Sequence, residues 1–135
     1  MTTTYQKGKK VSISEHFKST DFDCKCTRES CLDTIIDDDL IESLEDFWAL
    51  SQAFYIDSGF RCMEHNEEVK GAPNSQHLLG KAADCRSKLS YNGNLMARMA
   101  EDVDRFKKGG IGIYPNFVHV DVRQGPARWS LPIQC

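Results

Sequence analysis

The chain has 135 residues, of which 40% are hydrophobic, 27% charged and 10% aromatic, a balance that fits one folded domain and excludes a fibrous or disordered chain. Its net charge of −3 leaves no cationic excess to release counterions from a phosphate backbone, so nucleic-acid binding is not expected. No apolar run reaches the roughly 18 residues of a membrane span.

Residues 1–10 are polar and read as a loose, flexible N-terminus, with residues 11–135 as a single domain. The lysines of the first segment have no apolar stretch behind them, so it does not read as a secretory leader. The chain is therefore expected to be made in the cytoplasm and to reach any outer site by another route. Over 38–54, Leu40, Leu44, Phe47, Leu50 or Ser51, and Phe54 recur at helical spacing, and Asp37, Asp38 and Asp39 supply an N-terminal cap. A short strand at 55–58 and a brief helix at 62–69 follow, the helix closed by Gly71 and Pro73. Leu95, Met99, Val103 and Phe106 predict a second amphipathic helix over 92–106. Short strands are expected at 110–114, 117–123 and 128–130, separated by Pro115-Asn116 and Gln124-Gly125-Pro126. Helices on a small, mostly antiparallel sheet make an α+β domain.

Cys24, Cys26 and Cys31 cluster early, while Cys62, Cys85 and Cys135 are scattered. A Cys-x-Cys-x4-Cys group can form part of a zinc site, but no Cys-x-x-Cys or His-x3-His follows it nearby. Disulfides or buried thiols are the expected fate, and the even count of six favours pairing. Cys62 and Cys85 each follow a candidate site residue, and a bridge between them is expected if strands 56–61 and 82–86 are neighbours.

Two histidine neighbourhoods carry the chemistry. If 82–86 is a strand, Ala82 and Asp84 share a face, and a preceding loop can deliver His77 to Asp84. In the segment 117–123, Val118, Val120 and Val122 alternate towards the core, so Phe117, His119 and Asp121 line the other face. Two imidazoles and one carboxylate suit zinc and leave its fourth position open, which is the catalytic arrangement. Hydrogen-bonded histidines scattered without a metal remain the alternative at this point. His16 and His65 read as structural.

Ser75-x-His77-x-x-Gly80-x-Ala82-x-Asp84 followed by a late strand bearing His119 resembles peptidase family M15, the zinc D-Ala-D-Ala peptidases that share the Hedgehog/DD-peptidase fold. Ser12–Phe17, Asp21–Cys26, Ser58–Arg61, His65-Asn66, Gly110–Tyr114, Phe117–Arg123 and Arg128-Trp129 resemble its small carboxypeptidase-like subgroup, so the likeness spans about residues 11–135. It implies hydrolysis of peptidoglycan stem peptides, of D-Ala-D-Ala carboxypeptidase or L-Ala-D-Glu endopeptidase type, by a monomer with one zinc per chain. His77, Asp84 and His119 fall on the family's zinc ligands. Arg61 falls on an arginine that holds substrate or stabilises developing negative charge; Ser75 and Tyr114 are expected on the substrate side, with Tyr114 and Trp129 walling the cleft. Many relatives carry an acid or histidine two or three residues before the last zinc histidine, where this chain has Phe117 and Asn116. Asp121 is the expected general base, or else the residue that orients a ligand imidazole.

Small size and the absence of a leader are features of a phage-type lytic enzyme or a virion component. A zinc-bearing binding module without catalysis is the rival reading. A further one gives the early cysteines a zinc of their own, docking a partner.

Overall fold

The structure, a computed structural model, describes residues 1–131; Cys135 lies outside the described residues. Strand β1 (Thr2–Gln6) pairs antiparallel with β2 (Asp33–Asp37), Thr2 opposite Asp37 and Gln6 opposite Asp33. This corrects the expectation of a loose N-terminus. Threonine and tyrosine suit a pleated, half-buried surface despite their polarity, and Tyr5 packs against the core.

Helix α1 (Asp38–Ser51) starts where expected, because the Asp37 carboxylate accepts from the Asp39 N–H at 2.8 Å. Its inner stripe, Leu40, Leu44 and Phe47, is fully buried. The helix ends at Gln52, whose positive φ of 64° breaks the spiral before β3 (Phe54–Ser58). Helix α2 (Met63–Glu68) and strand β4 (Ala82–Ser87) follow.

The helix expected over 92–106 is two helices, α3 (Gly93–Ala100) and α4 (Asp104–Lys107). Val103 between them takes an extended conformation, which drops it and Phe106 into the core. The break re-aims the first half: Met96, Ala97 and Ala100 turn inward, and Leu95 is left exposed.

Strands β5 (Gly110–Ile113), β6 (Val118–Asp121) and β7 (Ala127–Ser130) complete a sheet of order β3-β4-β6-β5-β7. Its pairs are antiparallel except β5–β7, which is parallel. The fold is α+β, as expected. Helices α3 and α4 lie on β5 and β6 and α1 lies on both helices, enclosing Ala83, Cys85, Ile111, Val118 and Val120 from the sheet.

Strands β3 and β4 are neighbours, yet Cys62 and Cys85 do not bridge. Cys85 sits buried opposite Ile56, and among the described residues every cysteine is a free thiol. No helix among the described residues is long and apolar enough to cross a membrane.

Candidate metal centre

The register of β4 against β6 sets Asp84 directly opposite His119 and Ala82 opposite Asp121. Because side chains alternate, the valines of β6 anchor one face while His119 and Asp121 share the other. His77 arrives on a 3-10 turn, Gln76–Leu79, capped by Ser75, whose Oγ accepts from the His77 N–H at 3.2 Å. Gly80 ends the turn at φ +71°, where a Cβ would stand 2.2 Å from the Ile35 carbonyl oxygen, so the position admits only glycine.

The His77 ring is fixed by the end of β3: Nδ1 donates to the Gly59 carbonyl at 2.7 Å. A carbonyl only accepts, so the proton resides on Nδ1 and Nε2 points its lone pair inward. Nε2 lies 3.3 Å from Asp84 Oδ1, yet it is buried and makes no hydrogen bond. The same Asp84 oxygen is 3.1 Å from His119 Nδ1. Candidate ligand atoms of His77, Asp84 and His119 all fall within 4.8 Å of one another, and the three residues are 2%, 8% and 6% exposed.

Burial works against the Asp84 carboxylate, but its bond to His119 and the nearby His77 ring outweigh that and hold its pKa well below the usual carboxylate range. His119 is raised for the converse reason: burial disfavours the imidazolium, and the bonds to Asp121 and Asp84 more than compensate. An inward lone pair with no donor, facing a carboxylate oxygen that stays ionised, is a pair of like-polarity atoms that a cation would reconcile. Two imidazoles and a carboxylate are zinc's preferred nitrogen and oxygen donors, so the residues fit that ion.

Residues 14–121 match the family model described as Peptidase M15. The chain belongs to peptidase family M15. No curated protein matches it.

In this M15 chain Asp121 is fully buried and its oxygens are engaged. Oδ1 accepts from the backbone N–H of Gly110 (2.9 Å) and of Arg123 (3.1 Å) and from Arg123 Nε (2.9 Å). Oδ2 accepts from His119 Nε2 and from Arg123 Nη2, each at 2.7 Å. Burial raises the Asp121 pKa, but the bonds to His119 and Arg123 prevail and hold it well below the carboxylate range. Five donor groups thus engage the two oxygens of this carboxylate. Asp121 Oδ2 takes His119 Nε2, which leaves Nδ1 as the ring nitrogen that faces Asp84.

Arg61 stands at the rim of the cluster. Nη2 reaches Asp84 Oδ2 at 3.4 Å, Nη1 reaches Asn66 Oδ1 at 3.2 Å and Nε reaches Ser58 Oγ at 3.2 Å. Its backbone N–H also braces the His77 carbonyl at 3.2 Å. Ser75, expected on the substrate side, spends its hydroxyl oxygen on the His77 turn. Tyr114 stacks on Phe117 with ring centroids 4.3 Å apart, and its hydroxyl accepts from Trp129 Nε1 at 3.1 Å. The Trp129 ring lies 4.9 Å from that of His119 and packs so closely on Gly112 that a Cβ there would stand 2.4 Å away.

Sequence reading missed Arg123 and the Gly59 carbonyl. Arg123 was findable, since it continues the His119–Asp121 alternation by one more step; a backbone carbonyl leaves no sequence signal. His16, read as structural, stacks on Trp48 at 4.4 Å and bonds Glu45 at 2.6 Å. His65 lies within α2, 3.6 Å from Glu68.

Proposed function

We propose that this M15 chain is a zinc-dependent peptidase that hydrolyses peptide bonds in peptidoglycan stem peptides, with His77, Asp84 and His119 as the zinc ligands. The observation that carries the reading is the buried, unpartnered Nε2 of His77 turned towards Asp84 and His119. Three protein donors are one fewer than zinc's usual four, which is the ligand count of catalytic rather than structural sites. When bound there, the ion would polarise the scissile carbonyl and lower the pKa of water towards ~7.

The chain's own groups have separable tasks in this reading. Gly59 holds the proton of His77 on Nδ1, and Asp121 holds that of His119 on Nε2, so each ring offers its other nitrogen to the ion. Arg123 and the Gly110 N–H keep Asp121 ionised and immobile. Arg61 presents a guanidinium beside Asp84, where it would bind a substrate carboxylate or stabilise negative charge developing on the carbonyl oxygen. Tyr114 and Trp129 form an aromatic wall against which a stem peptide would lie. The active unit is proposed to be this single domain, β1 included, working as a monomer on the cell wall.

One observation favours a second reading, a zinc-bearing binding module without catalysis: Asp121 is fully engaged, and the upstream positions Asn116 and Phe117 cannot take a proton. Digestion of purified peptidoglycan by the zinc-loaded protein, read by mass spectrometry, separates the two. Stem-peptide fragments that disappear when the metal is chelated support the peptidase, and their masses report which bond is cut. Wall binding with no fragments at any pH supports the module.

A further inference from the structure

A second metal-ligating cluster lies outside the site described above. Cys24, Cys26 and Cys31 come from the irregular loop between the 3-10 turn at Ser19–Phe22 and β2, and Cys62 from the N-cap of α2. Folding supplies the fourth thiol that is missing from the local sequence pattern. All four sulfurs lie within 4.8 Å of one another, with Cys62 Sγ 3.7 Å from Cys24 Sγ and 3.8 Å from Cys26 Sγ.

Those separations decide between bonding types. A disulfide needs about 2.05 Å between sulfurs, and Cys62 could pair with only one partner, whereas it stands equally far from two. Four thiolates at about 2.3 Å from a tetrahedral zinc are about 3.8 Å apart along each edge.

The surroundings suit a thiolate cluster. The Cys62 N–H points at Cys24 Sγ at 3.4 Å, and Lys7 Nζ lies 3.6 Å from Cys26 Sγ. A backbone donor and an ammonium of this kind offset the negative charge of a zinc–tetrathiolate centre. Packing alone gives this loop little reason to be ordered: Cys24 is its one buried residue over 23–32, and Leu32 is exposed. The other three thiols are half-buried and turned to the same point.

We propose that Cys24, Cys26, Cys31 and Cys62 form a closed, structural zinc site, separate from the His77–Asp84–His119 centre. Each thiol that ligates releases its proton to solvent, and no oxidant is required. The ion ties the 23–32 loop to the start of α2. Cys62 directly follows Arg61, so the same ion fixes the backbone from which the guanidinium reaches Asp84. The chain then carries two zinc ions rather than the single one that the family resemblance implies.

Metal analysis of the full chain, combined with zinc-edge X-ray absorption, tests this. The wild type is expected to hold a second zinc per chain and to show a zinc–sulfur shell at about 2.3 Å. In the His77→Ala/His119→Ala double variant one zinc should remain, with an all-sulfur shell. In Cys26→Ser/Cys31→Ser the remaining zinc should show only nitrogen and oxygen neighbours. If that variant does not fold, the wild type and the histidine variant still decide the matter. A wild type without a zinc–sulfur shell, iron in place of zinc, or peptide mapping that finds disulfides among these four cysteines would each overturn the proposal. A sulfur shell in a protein that cleaves no peptidoglycan would leave it standing while removing the function proposed above.

Discussion

Asp121 Oδ2 lies 2.7 Å from His119 Nε2, on the opposite side of the ring from the Nδ1 that faces Asp84 at 3.1 Å. One imidazole thus joins two carboxylates, and the two differ in their settings. Asp84 meets two histidines and an arginine at the rim; Asp121 is buried and clamped by Arg123 and a backbone N–H. In the proposed zinc centre the first would share the cation and the second would aim the ring that shares it.

Asp121→Asn separates orientation from base catalysis. An orienting Asp121 predicts that zinc affinity falls about 10–100-fold, as for other partners of metal-bound histidines, measured by competition with a chelating dye. A general base predicts unchanged zinc affinity with cleavage lost.

Gly110→Ala reaches the same carboxylate from the backbone. A Cβ there would stand 2.1 Å from Asp121 Oδ2, and the carboxylate is too firmly held to swing aside. Overpacking of this kind costs about 1–3 kcal/mol, so a denaturant midpoint shifted down together with weakened zinc binding is expected. Wild-type stability would show that the clamp is soft.

The site was legible in the sequence to the extent that it rests on alternation. Strict alternation over Val118–Val122 fixes the shared face of His119 and Asp121, and Ala82 and Asp84 obey the same rule on β4. Which ring nitrogen faces the centre depends on hydrogen bonds to Gly59 and Asp121, and residue spacing carries no trace of these. Cys62 could not be assigned to the early cysteines either, since only the fold brings residue 62 to the 24–31 loop. The split of the 92–106 helix was hidden because Val103 and Phe106 continue the apolar spacing across the break.

Arg61→Ala should lower stem-peptide cleavage by about 10²–10³-fold, the usual effect of deleting one donor to developing negative charge, while zinc content is unchanged. Steady-state turnover and metal analysis on the same sample check both halves. Loss of zinc together with activity would make Arg61 a support of the centre instead.

Glu45 offers a pH test away from the metal. Its burial disfavours ionisation, but bonds from Ser14 Oγ (2.5 Å), the His16 N–H (2.8 Å) and the His16 ring (2.6 Å) prevail and lower its pKa. A folded-state pKa below the unfolded value of about 4.3 gives stability that is complete above that value and fades as pH falls through the lower one. The Tm gap between wild type and Glu45→Gln should therefore be largest near neutrality and shrink as the pH falls below the unfolded value of about 4.3. A gap independent of pH would mean that the bonds do not depend on the charge of Glu45.

Crystallography with data collected on both sides of the zinc edge tests the metal centre most directly. The account predicts an anomalous peak bonded to His77 Nε2, an Asp84 oxygen and His119 Nδ1, at about 2.0–2.2 Å from each. A zinc-loaded crystal with no peak there, or with the ion on His119 Nε2 in place of Nδ1, would contradict it.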